Sequence, residues 1–151
     1  MRKKYVVIEG LIGAGKTTLA KALSERNKAN LVLEEFMSNA FLAPFYKDPE
    51  RYAFPVEVGF LTERFRQLER EFAKEVKSKT IIADYHFEKS MVFARLNLTP
   101  EHLQVFQSLF DVLAAKIPKP DLMIYLDNST EGLLSNIRKR EREIEKQIKN
   151  G

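Results

Sequence analysis

Four short apolar runs punctuate the chain, and the stretches between them place apolar residues at helical spacing. The runs are nearly continuous and rich in β-branched residues, which is typical of strands buried on both faces of a parallel sheet. They are Tyr5–Ile8, Leu31–Leu33, Thr80–Ala83 and Leu122–Leu126. The pattern predicts an α/β fold in which crossover helices join parallel strands.

Five helices are predicted between and after these strands. The longest carries an apolar stripe from Val58 to Phe72. Another begins with Thr99 and Pro100, an N-cap residue followed by a first-turn proline, and Ser129 or Thr130 caps the last. The helices cover about residues 16–27, 54–77, 89–97, 101–115 and 131–148. With no internal linker or repeat, residues 1–151 are predicted to form one domain, and no strand closes the sheet after the last helix.

Residues 10–17 read GLIGAGKT and fit the phosphate-loop pattern G-x-x-x-x-G-K-[ST] at every fixed position. Glycines allow the backbone to turn its N–H groups toward a polyphosphate, the lysine reaches the β- and γ-phosphates, and the threonine hydroxyl can hold Mg²⁺. A strand before the loop and a helix after it complete an anion site that the helix dipole favours. The predicted nucleotide-binding residues are Gly10, Gly13, Ala14, Gly15, Lys16, Thr17 and Thr18. The expected fold is therefore the three-layer sandwich of P-loop nucleoside triphosphatases.

The composition limits which cellular compartment and which partners are expected. The chain has 151 residues, 44% of them hydrophobic, and no cysteine. It has no apolar run near the ~20 residues of a membrane span. We therefore expect a soluble cytoplasmic protein without disulfides and without a membrane partner. The net charge of +4 is largely carried by the last helix, where acids alternate with the bases. This favours a phosphate-facing segment or a solvated helix over a nucleic-acid interface.

Two acids follow strands and are candidates for chemistry. Glu35 comes after the second strand, within the pair Glu34-Glu35, and Asp84 comes directly after the third. Ligands of open α/β sheets bind outside the carboxyl ends of the strands, so both are expected to converge on the loop at residues 10–17. A carboxylate there can accept a hydroxyl proton or, with Thr17, hold Mg²⁺. The plainer alternative is that each acid only caps a helix.

The phosphate loop alone does not separate kinases from GTPases and ATPases. No Asn-Lys-x-Asp guanine signature follows any strand, which disfavours a GTPase. Phosphoryl transfer commonly uses an arginine to neutralise charge on the moving group. The basic residues from Arg138 to Arg142 are candidates for that task.

Four stretches of the sequence resemble the deoxynucleoside kinases, deoxyguanosine and deoxyadenosine kinases included. They are GLIGAGKTTLAKAL at the loop, LEEF after the second strand, FYKDPERYAFPVEVGFLTERFRQL on the long helix and its lead-in, and PKPDLMIYLDNSTEGLLSNIRKRERE at the fourth strand and last helix. Their shared order spans nearly the whole chain. The resemblance implies ATP and Mg²⁺ as cofactors and a deoxynucleoside as substrate.

The resemblance also implies residue roles. Glu35 would be the base for the sugar 5′-hydroxyl, Tyr46 would meet the 3′-hydroxyl, and Arg64 would lie on the base side of the pocket. A lid at about residues 138–145 would supply Arg140 and Arg142 to the phosphates. Glu145 in the same segment would help to hold the sugar.

The chain departs from the family pattern at three places. Glu57 stands where the family has a glutamine that reads the base, and an ionised glutamate offers acceptors only. Asp84 is followed by Tyr85 and His86 instead of Arg-Ser, and DYHFEKSMVFA resembles a divergent bacterial branch, some of whose members are fused to a folate-pathway pyrophosphokinase. The family's closing strand would lie beyond Gly151.

The sequence thus predicts a kinase that phosphorylates the 5′-hydroxyl of a deoxynucleoside. Two alternatives remain: a kinase of another small hydroxylated metabolite, and a catalytically silent nucleotide-binding module. Apolar residues on the helices at 54–77 and 101–115 exceed what one sheet face can cover, so a homodimer through these helices is expected.

Overall fold

The structure, a computed structural model, describes residues 3–35, 39–74 and 80–149, with only the backbone for the last nine of these. Each of the four predicted strands is confirmed in place within these described residues. They are β1 (Lys4–Gly10), β2 (Asn30–Val32), β3 (Thr80–Ala83) and β4 (Leu122–Leu126). The described strands form one parallel sheet in the order β2-β3-β1-β4. Their carboxyl ends therefore lie along a single edge.

Six helices connect and follow the strands in the described part of the chain. They are α1 (Lys16–Asn27), α2 (Leu42–Lys47), α3 (Pro49–Ala73), α4 (Lys89–Asn97), α5 (Pro100–Ala114) and α6 (Thr130–Lys149). The N-cap predicted for α5 is confirmed, since the Thr99 side chain accepts a hydrogen bond from the His102 N–H. The Ser129 hydroxyl likewise accepts from the Gly132 N–H at the start of α6.

Helix α3 begins earlier than the sequence predicted. Its expected start at residue 54 lies inside the helix, which begins at Pro49. The Asp48 carboxylate accepts a hydrogen bond from the Arg51 N–H, and a proline in the first turn costs no hydrogen bond because its missing N–H would have no helical partner. The helix then continues through Pro55. The short α2 was not predicted.

The sheet is covered on both faces, as the three-layer prediction required. One face packs against α3, α4 and α5 in a core that includes Val32, Leu61, Leu68 and Phe106. The other face packs against α1 through Ile8, Ala20 and Ile82. Alternate residues of one strand therefore point toward different helices, a fact that decides which acids reach the site.

A search of the described residues for membrane spans finds no helix with the length and apolar character that crossing a bilayer requires.

Candidate functional site

The phosphate loop lies between β1 and α1 with its three glycines at positive φ. The φ angles are 155° at Gly10, 83° at Gly13 and 93° at Gly15. A side chain at Gly13 would also meet the rest of the fold, since an added Cβ would lie 2.7 Å from the carbonyl oxygen of Leu133 in α6. Glycine is thus required there both by backbone conformation and by the close approach of α6.

Helix α6 makes a second contact with the loop. The Asn136 side-chain amide donates a hydrogen bond of 2.6 Å to the carbonyl oxygen of Gly13. The first turns of α6 and the loop are therefore packed together, and the basic residues farther along α6 extend from a segment anchored at the phosphate site.

The Lys16 side chain contacts the two residues at the end of β1, Glu9 and Gly10. Its Nζ donates to the Gly10 carbonyl oxygen at 2.8 Å and lies 3.3 Å from Glu9 Oε1. The other oxygen of Glu9 accepts a hydrogen bond from the His86 N–H at 3.1 Å. Glu9 was not among the predicted site residues, although its place at the end of β1 is the same kind of position that singled out the other acids.

Asp84 links the end of the phosphate loop to the segment that follows β2. Its Oδ2 accepts a 2.7 Å hydrogen bond from the Thr17 hydroxyl, and its Oδ1 accepts a 2.8 Å bond from the backbone N–H of Glu34. The structure thus brings together two of the three predicted metal ligands. A hydroxyl beside a carboxylate is the kind of donor pair that Mg²⁺ uses when phosphate oxygens and water complete its coordination.

The third predicted ligand and proposed base, Glu35, does not lie with them. Its side chain is exposed, and it is not among the described residues that line the cleft above the loop, whereas Glu34 is. The reason is strand alternation. Val32 packs toward α3 and Leu31 toward α1, and Glu34, two residues after Val32, likewise points toward α3. The expected convergence of Glu35 on the loop is corrected to Glu34.

Two cations hold the Glu34 carboxylate. Arg64 of α3 donates to Oε1 from Nε at 2.8 Å and from Nη2 at 2.5 Å, and Lys89 Nζ donates to Oε2 at 2.9 Å. Burial by itself would raise the pKa of Glu34, but the charges and hydrogen bonds of Arg64 and Lys89 outweigh it and hold that pKa below its ordinary value. Glu34 is therefore an ionised acceptor over the whole physiological pH range.

A cleft of about 910 Å³ opens above the loop. Its described lining includes the whole phosphate loop, four acids and several cations. The acids are Glu9, Glu34, Asp84 and Glu88, and the cations include Lys16, Lys89 and Arg140. A space of this size, lined by the glycine-rich loop together with cations and carboxylates, suits a polyphosphate beside a hydroxyl-bearing acceptor.

Several residues predicted to bind substrate are not part of this lining. The Tyr46 side chain is 74% exposed, whereas Glu57 and Arg64 are buried. Arg64 contacts the cleft residue Glu34, and its predicted place on the base side of the pocket stays a prediction. The predicted roles of Arg142 and Glu145 concern side chains outside the described residues.

The sequence and the fold were compared with known proteins. The family model described as deoxynucleoside kinase matches residues 6–151. The chain belongs to the deoxynucleoside kinase family. It is therefore an enzyme of nucleoside phosphorylation, with a deoxynucleoside as acceptor, and the resemblance read from the four motifs is confirmed.

Individual relatives agree with this assignment. The chain is 39% identical over 147 residues to deoxyguanosine kinase of Bacillus subtilis, covering 95% of this chain and 70% of the relative. It is 37% identical over 147 residues to deoxyadenosine kinase of Dictyostelium discoideum, covering 95% and 60%. A third relative, deoxyadenosine/deoxycytidine kinase of Bacillus subtilis, is 32% identical over 151 residues, covering 97% and 70%.

Solved structures of the family share the fold. Deoxyadenosine kinase from M. mycoides with the products dCMP and dCDP superposes with a TM-score of 0.75 at 25% identity, covering 90% of this chain and 70% of that one. The same enzyme with dATP bound gives a TM-score of 0.73 at 25% identity, with 90% and 71% covered. The P-loop architecture of the deoxynucleoside kinases is thus present here.

Glu57, the departure from the family pattern on the long helix, is a buried carboxyl group. It is 4% exposed, and its Oε1 accepts a 3.0 Å hydrogen bond from the Asn97 side-chain amide. Burial raises the pKa of Glu57, and the Asn97 hydrogen bond and the Arg64 charge offset this only in part. A raised folded-state pKa means that the native state binds a proton more tightly than the unfolded chain does. The ionised Glu57 therefore costs stability as pH rises above the unfolded pKa.

Replacing Glu57 by glutamine is accordingly expected to stabilise this deoxynucleoside kinase at neutral pH. The melting temperature should rise by roughly 2–4 °C, which corresponds to about 1 kcal/mol in a domain of this size. The gain should shrink toward pH 4, where the parental carboxyl group is protonated in both states. Glu63→Gln is the matched control, because the Arg66 hydrogen bond lowers the pKa of Glu63. Removing the Glu63 charge should therefore not raise the melting temperature. A drop in melting temperature for Glu57→Gln at pH 7 would contradict this electrostatic account.

Proposed function

We propose that the protein transfers the γ-phosphoryl group of ATP to the 5′-hydroxyl of a deoxynucleoside, with Mg²⁺ bound at the phosphate loop. The observation that carries the proposal is the meeting of the loop, Asp84 and the ionised Glu34 in one cleft. Phosphoryl transfer needs little covalent help from a protein, so positioning and electrostatic stabilisation do most of the catalysis. The cleft supplies groups for both.

The phosphate loop binds ATP in this proposal. Backbone N–H groups at residues 13–17 face the phosphates, and the Lys16 ammonium group exchanges its contacts with Glu9 and the Gly10 carbonyl for phosphate oxygens. Arg140, which lines the cleft from α6, neutralises charge on the moving group. The proposed lid at residues 138–145 would add Arg142 to the same task and Glu145 to the sugar.

Thr17 and Asp84 would hold Mg²⁺. Their 2.7 Å contact places a hydroxyl oxygen and a carboxylate oxygen side by side next to the loop. Bound there, the cation would neutralise charge on the β- and γ-phosphates. Glu35, the remaining predicted ligand, has no part in this proposal because its side chain is exposed and does not line the cleft in the described part of the chain.

Glu34 takes the role that was predicted for Glu35. A carboxylate offers about four lone-pair sites, so the contacts with Arg64 and Lys89 leave room to accept the substrate hydroxyl. The two cations orient the carboxylate and keep it charged. Glu34 then receives the hydroxyl proton as the oxygen attacks phosphorus.

The preferred base is proposed to be a purine or cytosine. Glu57 is an acceptor-only group when ionised, and it favours bases that present donors, such as the guanine N1–H and 2-amino pair or an exocyclic amine. Thymine presents one N–H between two carbonyls, which a carboxylate repels. The relatives named above as kinases of deoxyguanosine, deoxyadenosine and deoxycytidine support this choice. The exposed Tyr46 is retained as the proposed partner of the sugar 3′-hydroxyl.

The test is an ADP-release assay with ATP and Mg²⁺ over the four deoxynucleosides. Turnover of deoxyguanosine, deoxyadenosine or deoxycytidine above that of thymidine supports both the reaction and the base preference. Thymidine as the best substrate overturns the role of Glu57, and absence of turnover with all four overturns the reaction.

A homodimer is proposed through α4 and α5. The prediction had named the helices at 54–77 and 101–115, but among the described residues α3 exposes no large hydrophobic side chain. The exposed apolar residues instead include Leu96 of α4, 75% exposed, with Val105 and Val112 of α5, 58% and 61% exposed. Val105 and Val112 are seven residues apart and lie on one face of the helix.

Placing charges on that face should separate the proposed dimer. Sedimentation of the parent should give twice the 17.5 kDa chain mass, and a Val105→Glu, Val112→Glu double variant should sediment as a monomer. Leu134→Glu on α6, where Leu134 is 46% exposed, is the control and should remain dimeric. A monomeric parent, or a double variant that stays dimeric, would exclude this interface.

A further inference from the structure

Lys89 is distinct among the charged residues around Glu34. Arg64 Nη1 also donates a 2.9 Å hydrogen bond to the Ser90 hydroxyl, and its guanidinium lies 5.2 Å from the Phe60 ring centre. Arg64 is therefore fixed in the interior and does not line the cleft. Lys89 lines the cleft directly, at the first residue of α4. Its Nζ lies 5.9 Å from the Phe93 ring centre, and the aromatic face limits where the ammonium group can go.

The contacts of Lys89 leave donors unused. An ammonium group has three N–H donors, and within the described part of the chain Nζ makes one hydrogen bond, to Glu34 Oε2. Arg64 already supplies one positive charge to that carboxylate, in a buried pair whose side chains are 5% and 6% exposed. The second charge, from Lys89, is more than the neutralisation of Glu34 requires.

The residue after Asp84 supplies no cation to this part of the cleft. Tyr85 is fully buried, and its hydroxyl donates to the Gln67 side-chain oxygen at 2.8 Å. Gln67 in turn donates to the Leu33 carbonyl oxygen at 2.7 Å, so Tyr85 supports the end of β2 from within the core. Among the described residues, Lys89 is thus the cation that contacts Glu34 from the cleft.

We infer that Lys89 is a further catalytic residue, whose ammonium group binds the phosphoryl group as it passes to the acceptor and then the 5′-phosphate of the product. The inference rests on the proposed phosphoryl transfer to a hydroxyl at Glu34. Lys89 Nζ donates one N–H to Glu34 Oε2 and belongs to a side chain that lines the cleft. Its remaining donors can therefore bind the transferred group beside the oxygen that receives the proton. A charge in this position acts most strongly where negative charge develops in the transition state.

The first test compares Lys89→Met with the parent enzyme. Turnover should fall about 10²–10³-fold, as for the loss of one preorganised donor to a developing anion. Affinity for the deoxynucleoside should change little, whereas affinity for the deoxynucleoside monophosphate should fall at least about tenfold. Lys89→Arg should retain a large part of both properties. Lys116→Met, at an exposed lysine outside the cleft, is the control and should match the parent.

A second test separates direct contact from an effect through Glu34. If Lys89 touches the phosphoryl group, Lys89→Met should lower turnover further in a Glu34→Gln background. If the substitution has no further effect there and monophosphate affinity equals that of the parent, Lys89 only positions Glu34 and the inference is overturned. An inactive parent would instead refute the proposed function, so the two failures are distinguishable.

A structure of the parent enzyme with a deoxynucleoside monophosphate bound does not depend on how the variants fold. Lys89 Nζ within hydrogen-bond distance of a phosphate oxygen supports the inference. Nζ contacting only Glu34 while the phosphate binds elsewhere in the cleft overturns it.

Discussion

Glu34→Gln is expected to lower the turnover number of this kinase by about 10²–10⁴-fold, the usual contribution of a general base. Glu35→Gln, one residue later, is expected to leave turnover within about twofold of the parent. The contrast follows from strand alternation, which directs Glu34 toward Arg64 and Lys89 and leaves Glu35 exposed. Steady-state kinetics with saturating ATP and deoxynucleoside would measure both.

Folding must be monitored alongside this comparison. Removing one partner of a buried ion pair typically costs about 3–5 kcal/mol, and glutamine keeps the shape of Glu34 but not its charge. Thermal melting therefore shows whether lost turnover reflects lost structure. A folded Glu34→Gln enzyme with parental turnover, or a large loss in Glu35→Gln instead, would return the base role to Glu35 or another group.

Lys16→Ala is expected to abolish phosphoryl transfer almost completely, with a loss of at least about 10²–10³-fold. The fold should be retained, because Lys16 is only partly buried and its contacts are with Glu9 and one backbone carbonyl. The reason for the loss is that its charge lies where the β- and γ-phosphates concentrate negative charge. Turnover and ATP affinity should be measured on the same preparation.

Lys21→Ala is the matched control, since Lys21 lies on the same helix with an exposed side chain. It should match the parent in turnover and ATP affinity. Equal turnover in Lys16→Ala and the parent would refute phosphate binding at the loop. A crystal soaked in sulfate gives a second reading, because the ion should lie against the amides of residues 13–17.

The strands and the phosphate loop could be predicted because their signals are local. A continuous apolar run is the requirement of a strand covered on both faces, and β3 and β4 have the predicted bounds. The glycines of the loop are dictated by backbone conformation within a few residues. The predicted start of α3, at residue 54, was too late, because Asp48 caps the helix and Pro49 lies in its first turn.

Residues whose roles depend on contacts between distant parts of the sequence were harder to predict. Glu34 and Glu35 are adjacent identical acids, and only the packing of Val32 on α3 shows which one faces the cleft. Lys89 carried no signal in the sequence, because its significance depends on a contact with Glu34 across 55 positions of the chain. Glu9, by contrast, lies at the end of β1, a position that the sequence could have singled out, and the structure shows the His86 N–H donating to its carboxylate.

The sequence by itself determined the parallel sheet, the nucleotide-binding loop and the kinase family, because each is encoded by residues that are close together or in a fixed order. The tertiary structure alone decided which carboxylates and which cations line the cleft above the loop. That choice depends on the side to which each residue just after β2 points and on how α3 and α4 pack there. A one-residue shift along an extended strand moves a side chain to the opposite face of the sheet, so residue type and order could not distinguish Glu34 from Glu35.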